Sequence, residues 1–196
     1  MLKELFISEV RVNILKLFLL EGVDRERGLH VREITRRVGT EINAVRRELD
    51  RLLGLKLLRR EERGNRVYYL LRDDFPLTPE LIGLLVKDSG LGSFLLKNHR
   101  RLGRILYLLV SKEFLFGRVP RANEVDILFV GTVSIEAVQS LMHSEEKRLG
   151  KEIHYSVMGE EEFEFRKQKK DSFLIEILMK PYVLLVGNEF ELAKFP

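Results

Sequence analysis

Cysteine is missing from the 196 residues, and so is tryptophan. Without a thiol there is no disulfide framework, no cysteine nucleophile and no thiolate-held zinc or iron–sulfur centre. Histidine occurs only four times, at scattered positions, so a histidine-rich metal site is not expected. No apolar run approaches the roughly 18 residues that a membrane-spanning helix needs. The amino-terminal stretch carries charge throughout its apolar pattern, unlike a signal peptide. The expectation is a soluble, cytoplasmic protein that does not engage a membrane. Hydrophobic residues make up 45% of the chain, enough for real cores and against a mainly disordered protein. The length suits two domains of about 70 to 130 residues each.

Charge is unevenly placed. Residues 1–73 hold 17 basic and 12 acidic side chains, and 14 of those cations are arginine. Residues 74–196 hold 17 and 18. The positive excess therefore sits entirely in the first third, which points to a polyanion-binding module joined to a near-neutral domain.

Within that third, Val10, Ile14, Leu15, Leu17 and Phe18 recur at helical spacing, with Ser8 placed as a cap and Gly22 as a stop. Residues 30–39 predict a short helix with Val31, Ile34 and Val38 inward and Gly39 ending it; His30 is a cap or an ordinary surface residue. Thr40 is expected to cap a third helix, Glu41 to Leu53, whose inward stripe is Ile42, Val45, Leu49 and Leu52. Past Gly54 the period changes to that of strands. Leu55–Arg60 and Arg66–Leu71 predict a hairpin, with Gly64-Asn65 suited to its turn. At 100° per residue, Asn43, Ala44, Arg47 and Arg51 project away from the core stripe of the third helix and Arg46 lies on its flank. Asparagine can pair with adenine, arginine with guanine, and alanine can touch a thymine methyl. Arg46, Arg51, Arg63 and Arg66 can equally hold phosphates, or pair with neighbours such as Glu48 and Asp50.

The run LHVREITRRVGTEINAVRRELDRLLGLKLL followed by RREERGNRVYYLL resembles the ArsR-like winged-helix transcriptional regulators over roughly residues 5–73. The resemblance implies a winged helix-turn-helix domain over residues 1–73 that docks its third helix in the DNA major groove, usually as a homodimer. DNA contacts are then expected from Thr40, Asn43, Ala44, Arg46, Arg47 and Arg51 and, at the wing, from Arg63 and Arg66. Metal-sensing members of that family use cysteine ligands, which this chain lacks.

Residues 74–101 predict a helical connector. It starts at Thr78-Pro79-Glu80, where proline at the first helical position is favoured, and is interrupted at Gly90 and Gly92. From 102 onward, strands over 104–110, 125–130, 153–158 and 182–186 alternate with helices over 134–149, 160–170 and 172–179. This predicts an α/β domain with a small mixed sheet. Gly131 is expected to end the second of these strands, and Ile135, Val138, Leu141 and Met142 to face inward.

The segment Phe116-Gly117-Arg118 through Glu124-Val125-Asp126 resembles the signature of the minimal nucleotidyltransferases of the polymerase-beta superfamily. There a Gly-Ser turn is followed by two carboxylates at i and i+2 of a strand. Carboxylates so spaced share one face and can hold Mg²⁺ together. Here Gly117 stands, Arg118 replaces the serine, Glu124 and Asp126 take the carboxylate positions, and the candidate later strand carries no third carboxylate. The resemblance, over roughly residues 102–187, implies a degenerate nucleotidyltransferase-like domain spanning residues 102–196. The leading expectation is a sequence-specific DNA-binding transcription regulator that needs no cofactor and no metal. The alternative is a Mg²⁺-dependent nucleotidyltransferase targeted by its winged helix.

Overall fold

The computed structural model describes residues 2–117 and 124–194. The protein is a mixed α/β chain with two sheets among the described residues. It divides into two compact units, Met1–Asp88 and Ser89–Pro196, so the stretch 74–101 falls on both sides of that division.

The first unit opens with a short helix α1 (Leu2–Leu5) and then α2 (Glu9–Leu19). Ser8 caps α2 by accepting from the Arg11 amide at 3.1 Å. Ile14, Leu15, Leu17 and Phe18 are buried as their spacing predicts, joined by Val12 and Leu19, while Val10 is only half-buried. A two-residue strand β1 (Leu29–His30) leads into α3 (Val31–Val38). His30 caps α3 through Nδ1, which accepts from the Glu33 amide. Gly39 terminates it at φ +70°, the left-handed conformation that glycine adopts without steric cost.

Helix α4 (Ile42–Gly54) buries Val45, Leu49 and Leu52. Each such aliphatic side chain contributes about 1.5–3 kcal/mol on leaving water. The expected cap at Thr40 is a correction. Glu41 holds the extended cap conformation and its side chain makes no capping bond, which leaves Thr40 one residue outside the helix. The expected strand from Leu55 is a second correction. The helix runs through Gly54, the chain turns at Lys56 with φ +59°, and the hairpin is β2 (Leu58–Arg63) with β3 (Arg66–Leu71). Arg63 pairs with Arg66 across a two-residue Gly64-Asn65 turn, so the strands run further toward the tip than the charge pattern of 61–63 suggests. β1 adds to β3 antiparallel, giving the order β1-β3-β2. Helix α5 (Thr78–Asp88) buries Ile82, Leu85 and Val86 and packs on α1 and α2.

The second unit begins with α6 (Gly90–Leu102). The interruption expected at Gly90 falls at Ser89, between α5 and α6, with Gly90 at φ +56°; Gly92 lies in the first turn of the new helix and is buried. The four-stranded sheet is built from β4 (Gly103–Ser111), β5 (Ile127–Val133), β6 (Tyr155–Met158) and β7 (Tyr182–Val186) in the order β6-β5-β4-β7. β4 runs antiparallel to both β5 and β7, and β5 parallel to β6. The helices of this unit are α7 (Lys112–Leu115), α8 (Ile135–Leu149), α9 (Glu160–Gln168), α10 (Ser172–Met179) and α11 (Glu189–Ala193). Tyr107, Leu109, Leu128 and Val130 meet Phe163 of α9 and Leu174 of α10 in one core. The alternate residues Leu108, Val110, Ile127 and Phe129 are equally buried. Successive strand residues face opposite ways, so the sheet is covered on both faces. Gly131 lies inside β5 rather than ending it. A Cβ there would sit 2.2 Å from the Arg104 carbonyl oxygen, so glycine is what lets β5 continue past the irregularity in its register with β4. Ile135, in the first turn of α8, is 60% exposed, and only Val138 and Met142 of the predicted inward set are fully buried.

Candidate nucleic-acid interface

α4 is held from behind. Its buried stripe is flanked by Glu48, only 6% exposed, which the sequence pattern alone assigns to the surface. Glu48 accepts from Ser8 Oγ at 3.0 Å and Arg11 Nε at 2.8 Å. Arg51 Nη1 reaches it at 2.7 Å. Burial raises the Glu48 carboxyl, but the hydrogen bonds from Arg11 and Ser8 and the charges of Arg11 and Arg51 outweigh it and leave it below the usual carboxylate range. The network pins α4 to α2 and uses one edge of the Arg51 guanidinium, whose side chain stays largely exposed.

The outward face of α4 is then free to meet a ligand. Asn43, Arg46 and Arg47 are exposed and Ala44 is half-buried. Neither Arg46 nor Arg47 has an ion-pair or hydrogen-bond partner among the described residues. On the flank, Arg46 joins Arg32 of α3 and Arg66 of β3 around an open cleft of about 440 Å³, whose walls also include His30, Asn65 and Tyr69. Arg32 and Arg66 are likewise unpaired among the described residues. The Tyr69 hydroxyl is raised by burial and by Asp50, against the charges of Arg60 and Arg46. Three unpaired guanidiniums around one cleft make a concentrated positive field, and guanidinium matches phosphate oxygens in a two-pronged geometry.

The structure thus brings Arg46 and Arg66 together and adds Arg32, which the sequence reading missed. Its signal was available: it follows Val31 on a helix whose inward residues are Val31, Ile34 and Val38, so it must face away from them. Arg63 is placed differently from expectation. Its Nη1 donates to the Arg27 carbonyl at 2.9 Å and its Nη2 to the Glu26 carbonyl at 2.6 Å, it pairs with Glu61, and it lies over the Tyr68 ring. Those donors are spent holding the loop 24–28 to the hairpin. Thr40 is half-buried beside the start of α4.

In the second unit, Gly117 has φ +80° and follows α7; Arg118 lies outside the described residues. Glu124 and Asp126 both precede β5, which starts at Ile127, yet the Asp126 backbone already bonds to Ser111 and His154 on either side, and both residues line one small cavity. Glu124 is bound by Lys180 Nζ at 3.1 Å. Asp126 is 4% exposed, and its Oδ2 accepts from the His154 amide at 2.8 Å. Burial pushes the Asp126 carboxyl up, against the His154 amide and the nearby His154 and Lys151 charges. Among the described residues the space beside both carboxylates is about 20 Å³, on the order of one water. Among the described residues no group of three or more acidic or histidine side chains is disposed to hold a metal ion. A carboxylate tied to an ammonium and another whose burial favours its neutral form do not fit Mg²⁺.

No family model matches the chain, and no curated protein matches it. Among solved structures, human N-acetylserotonin methyltransferase in complex with SAM aligns at 21% identity with a TM-score of 0.33, covering 61% of this chain and 36% of that one. The chain spans about a third of that protein's length, and a likeness of this size carries no argument for fold or activity.

Proposed function

We propose that the chain is a sequence-specific DNA-binding transcription regulator that reads duplex DNA through its first unit. The observation that carries the reading is the outward face of α4. It presents Arg46 and Arg47, exposed and unpaired among the described residues, beside Asn43, on a helix anchored from behind by a buried stripe and the Glu48 network. The succession of α2, β1, α3, α4 and the β2–β3 hairpin follows the order of a winged helix, and the resemblance to ArsR-like regulators rests on the same residues. In this reading α4 lies in the major groove, where Arg47 reaches a guanine edge and Asn43 an adenine. Arg32, Arg46 and Arg66 hold phosphates on the flank, and Arg51 has a free edge for the backbone. The protein acts in the cytoplasm as a homodimer, because one winged helix offers few base contacts and two-fold pairing doubles them. The second unit, nucleotidyltransferase-like in its order of elements, serves assembly or sensing rather than catalysis.

Selection of bound duplexes from a random pool tests this. The expected result is an enriched site made of two inverted half-sites. A pool that stays random would contradict DNA reading, and a single unpaired half-site would contradict the homodimer.

A further inference from the structure

The second unit carries 16 basic and 15 acidic residues, and several of its cations are held in ion pairs. Arg148 pairs with Glu145, Arg166 with Glu162 and Asp171, Lys180 with Glu124 and Glu176, and Lys194 with Glu191. α6 gathers its cations on one side instead. Lys97, Arg100 and Arg101 stand three and four residues apart, so they share one side of the helix, and Arg104 follows just past its end. All four are exposed, and α6 contains no acidic residue. Lys97, Arg100 and Arg101 have no ion-pair or hydrogen-bond partner among the described residues; Arg104 lies 3.7 Å from Glu160.

Folding does not account for this face. α6 is anchored by its other side, where Leu91, Gly92, Leu95 and Leu102 are buried. A helix C-terminus favours cations within its last turn, which covers Arg100 and Arg101 but not Lys97, a turn further back. Three like charges side by side repel one another, and a polyanion would relieve that repulsion. The apolar side of α6 is spent inside its own unit, so the helix lacks the exposed apolar stripe that an amphipathic membrane-binding helix inserts beside its cations. An arginine-rich, apolar-poor face is complementary to phosphates instead.

We infer that the exposed face of α6, with Arg104, is a second and sequence-independent contact for the sugar-phosphate backbone of duplex DNA flanking the site read by α4. The inference rests on the DNA-binding reading and extends it: base choice belongs to the first unit, and part of the affinity and of its salt dependence to the second.

The test uses the full chain carrying Lys97→Gln, Arg100→Gln and Arg101→Gln together. Its thermal unfolding should match the parent, because all three side chains are exposed. Binding is titrated at several salt concentrations on two duplexes, one holding only the selected site and one extended by about a helical turn, roughly ten base pairs, on each side. The parent should bind the longer duplex more tightly. The triple variant should lose that gain, and its salt slope on the long duplex should fall by about two to three units, with base preference unchanged. Arg47→Ala should do the reverse, losing base preference and keeping the length gain. If the triple variant keeps both slope and length gain while Arg47→Ala loses base preference, the α6 contact is wrong and the DNA reading stands. If the parent binds no duplex, both fall. Loss of binding to phosphatidylserine vesicles, with DNA binding unaltered, would reassign the face to a membrane and overturn the inference.

Discussion

Glu48 and Asp126 are buried carboxylates with opposite surroundings. Glu48 sits among donors from Ser8, Arg11 and Arg51, so its folded value lies below the ordinary 4.5. A depressed carboxyl contributes stability that is present above 4.5 and is lost as pH falls through the folded value. Glu48→Gln should lower unfolding free energy at pH 7 by about 1.5–3 kcal/mol, the range for hydrogen bonds to a charged group. Urea denaturation at a series of pH values should show the gap narrowing below pH 4.5; no gap at pH 7 would contradict the anchoring role. Asp126 behaves in the other sense. Burial lifts its folded value above 3.8, so the folded state holds its proton more tightly than the unfolded chain does, and stability falls as pH rises from 3.8 through the raised value. Asp126→Asn keeps an oxygen for the His154 amide and removes the buried charge. Its melting temperature should exceed the parent's at pH 7 and converge with it near pH 3. A lower melting temperature at pH 7 would mean that Asp126 is held as a useful anion. Neither environment could be read from sequence, because each depends on partners distant along the chain: Arg11 lies 37 residues from Glu48, and His154 lies 28 from Asp126.

Among the elements, those with a long apolar period were legible. α2, α4, α8 and the buried strands β4 and β5 stand within a few residues of where their spacing puts them, since burial enforces the period. What escaped has no period to show. β1 is two residues long and exists only because β3 is there to pair with it. α6 starts at glycines that usually punctuate, and Gly131 reads as a strand end although it sits inside one. Two glycines separate conformational from packing requirements. At Gly39 a Cβ would meet nothing within 4 Å, so Gly39→Ala carries only the left-handed backbone cost of about 1–2 kcal/mol. At Gly131 a Cβ would also collide with the Arg104 and Leu106 backbone, atoms that cannot rotate away. Gly131→Ala should therefore destabilise its unit well beyond the Gly39 value, seen as a larger drop in denaturation midpoint. Equal losses would show that the β4–β5 contact can open to admit a methyl group.

At the scale of the whole molecule, two units divide the chemistry unequally. The first combines an anchored helix, an outward arginine face and a cleft ringed by three guanidiniums that are unpaired among the described residues. The second combines a sheet covered on both faces with carboxylates already committed to Lys180 and to a backbone amide. The candidate contacts on α4 were legible because outward positions follow from the inward stripe. The engagement of Arg63 and the contribution of Arg32 were not, because both depend on how the hairpin lies against the loop 24–28 and against α3. The central claim is that α4 reads base sequence, and Arg47 tests it most directly: it is exposed, unpaired among the described residues and opposite the buried stripe. Titration of Arg47→Ala and the parent on the selected site and on a scrambled duplex, at several salt concentrations, should show a loss of about 1–3 kcal/mol on the selected site alone, with relaxed preference at one base position. Its thermal stability should stay within about 0.5 kcal/mol of the parent. Binding like the parent's, or an equal loss on both duplexes, would contradict the account.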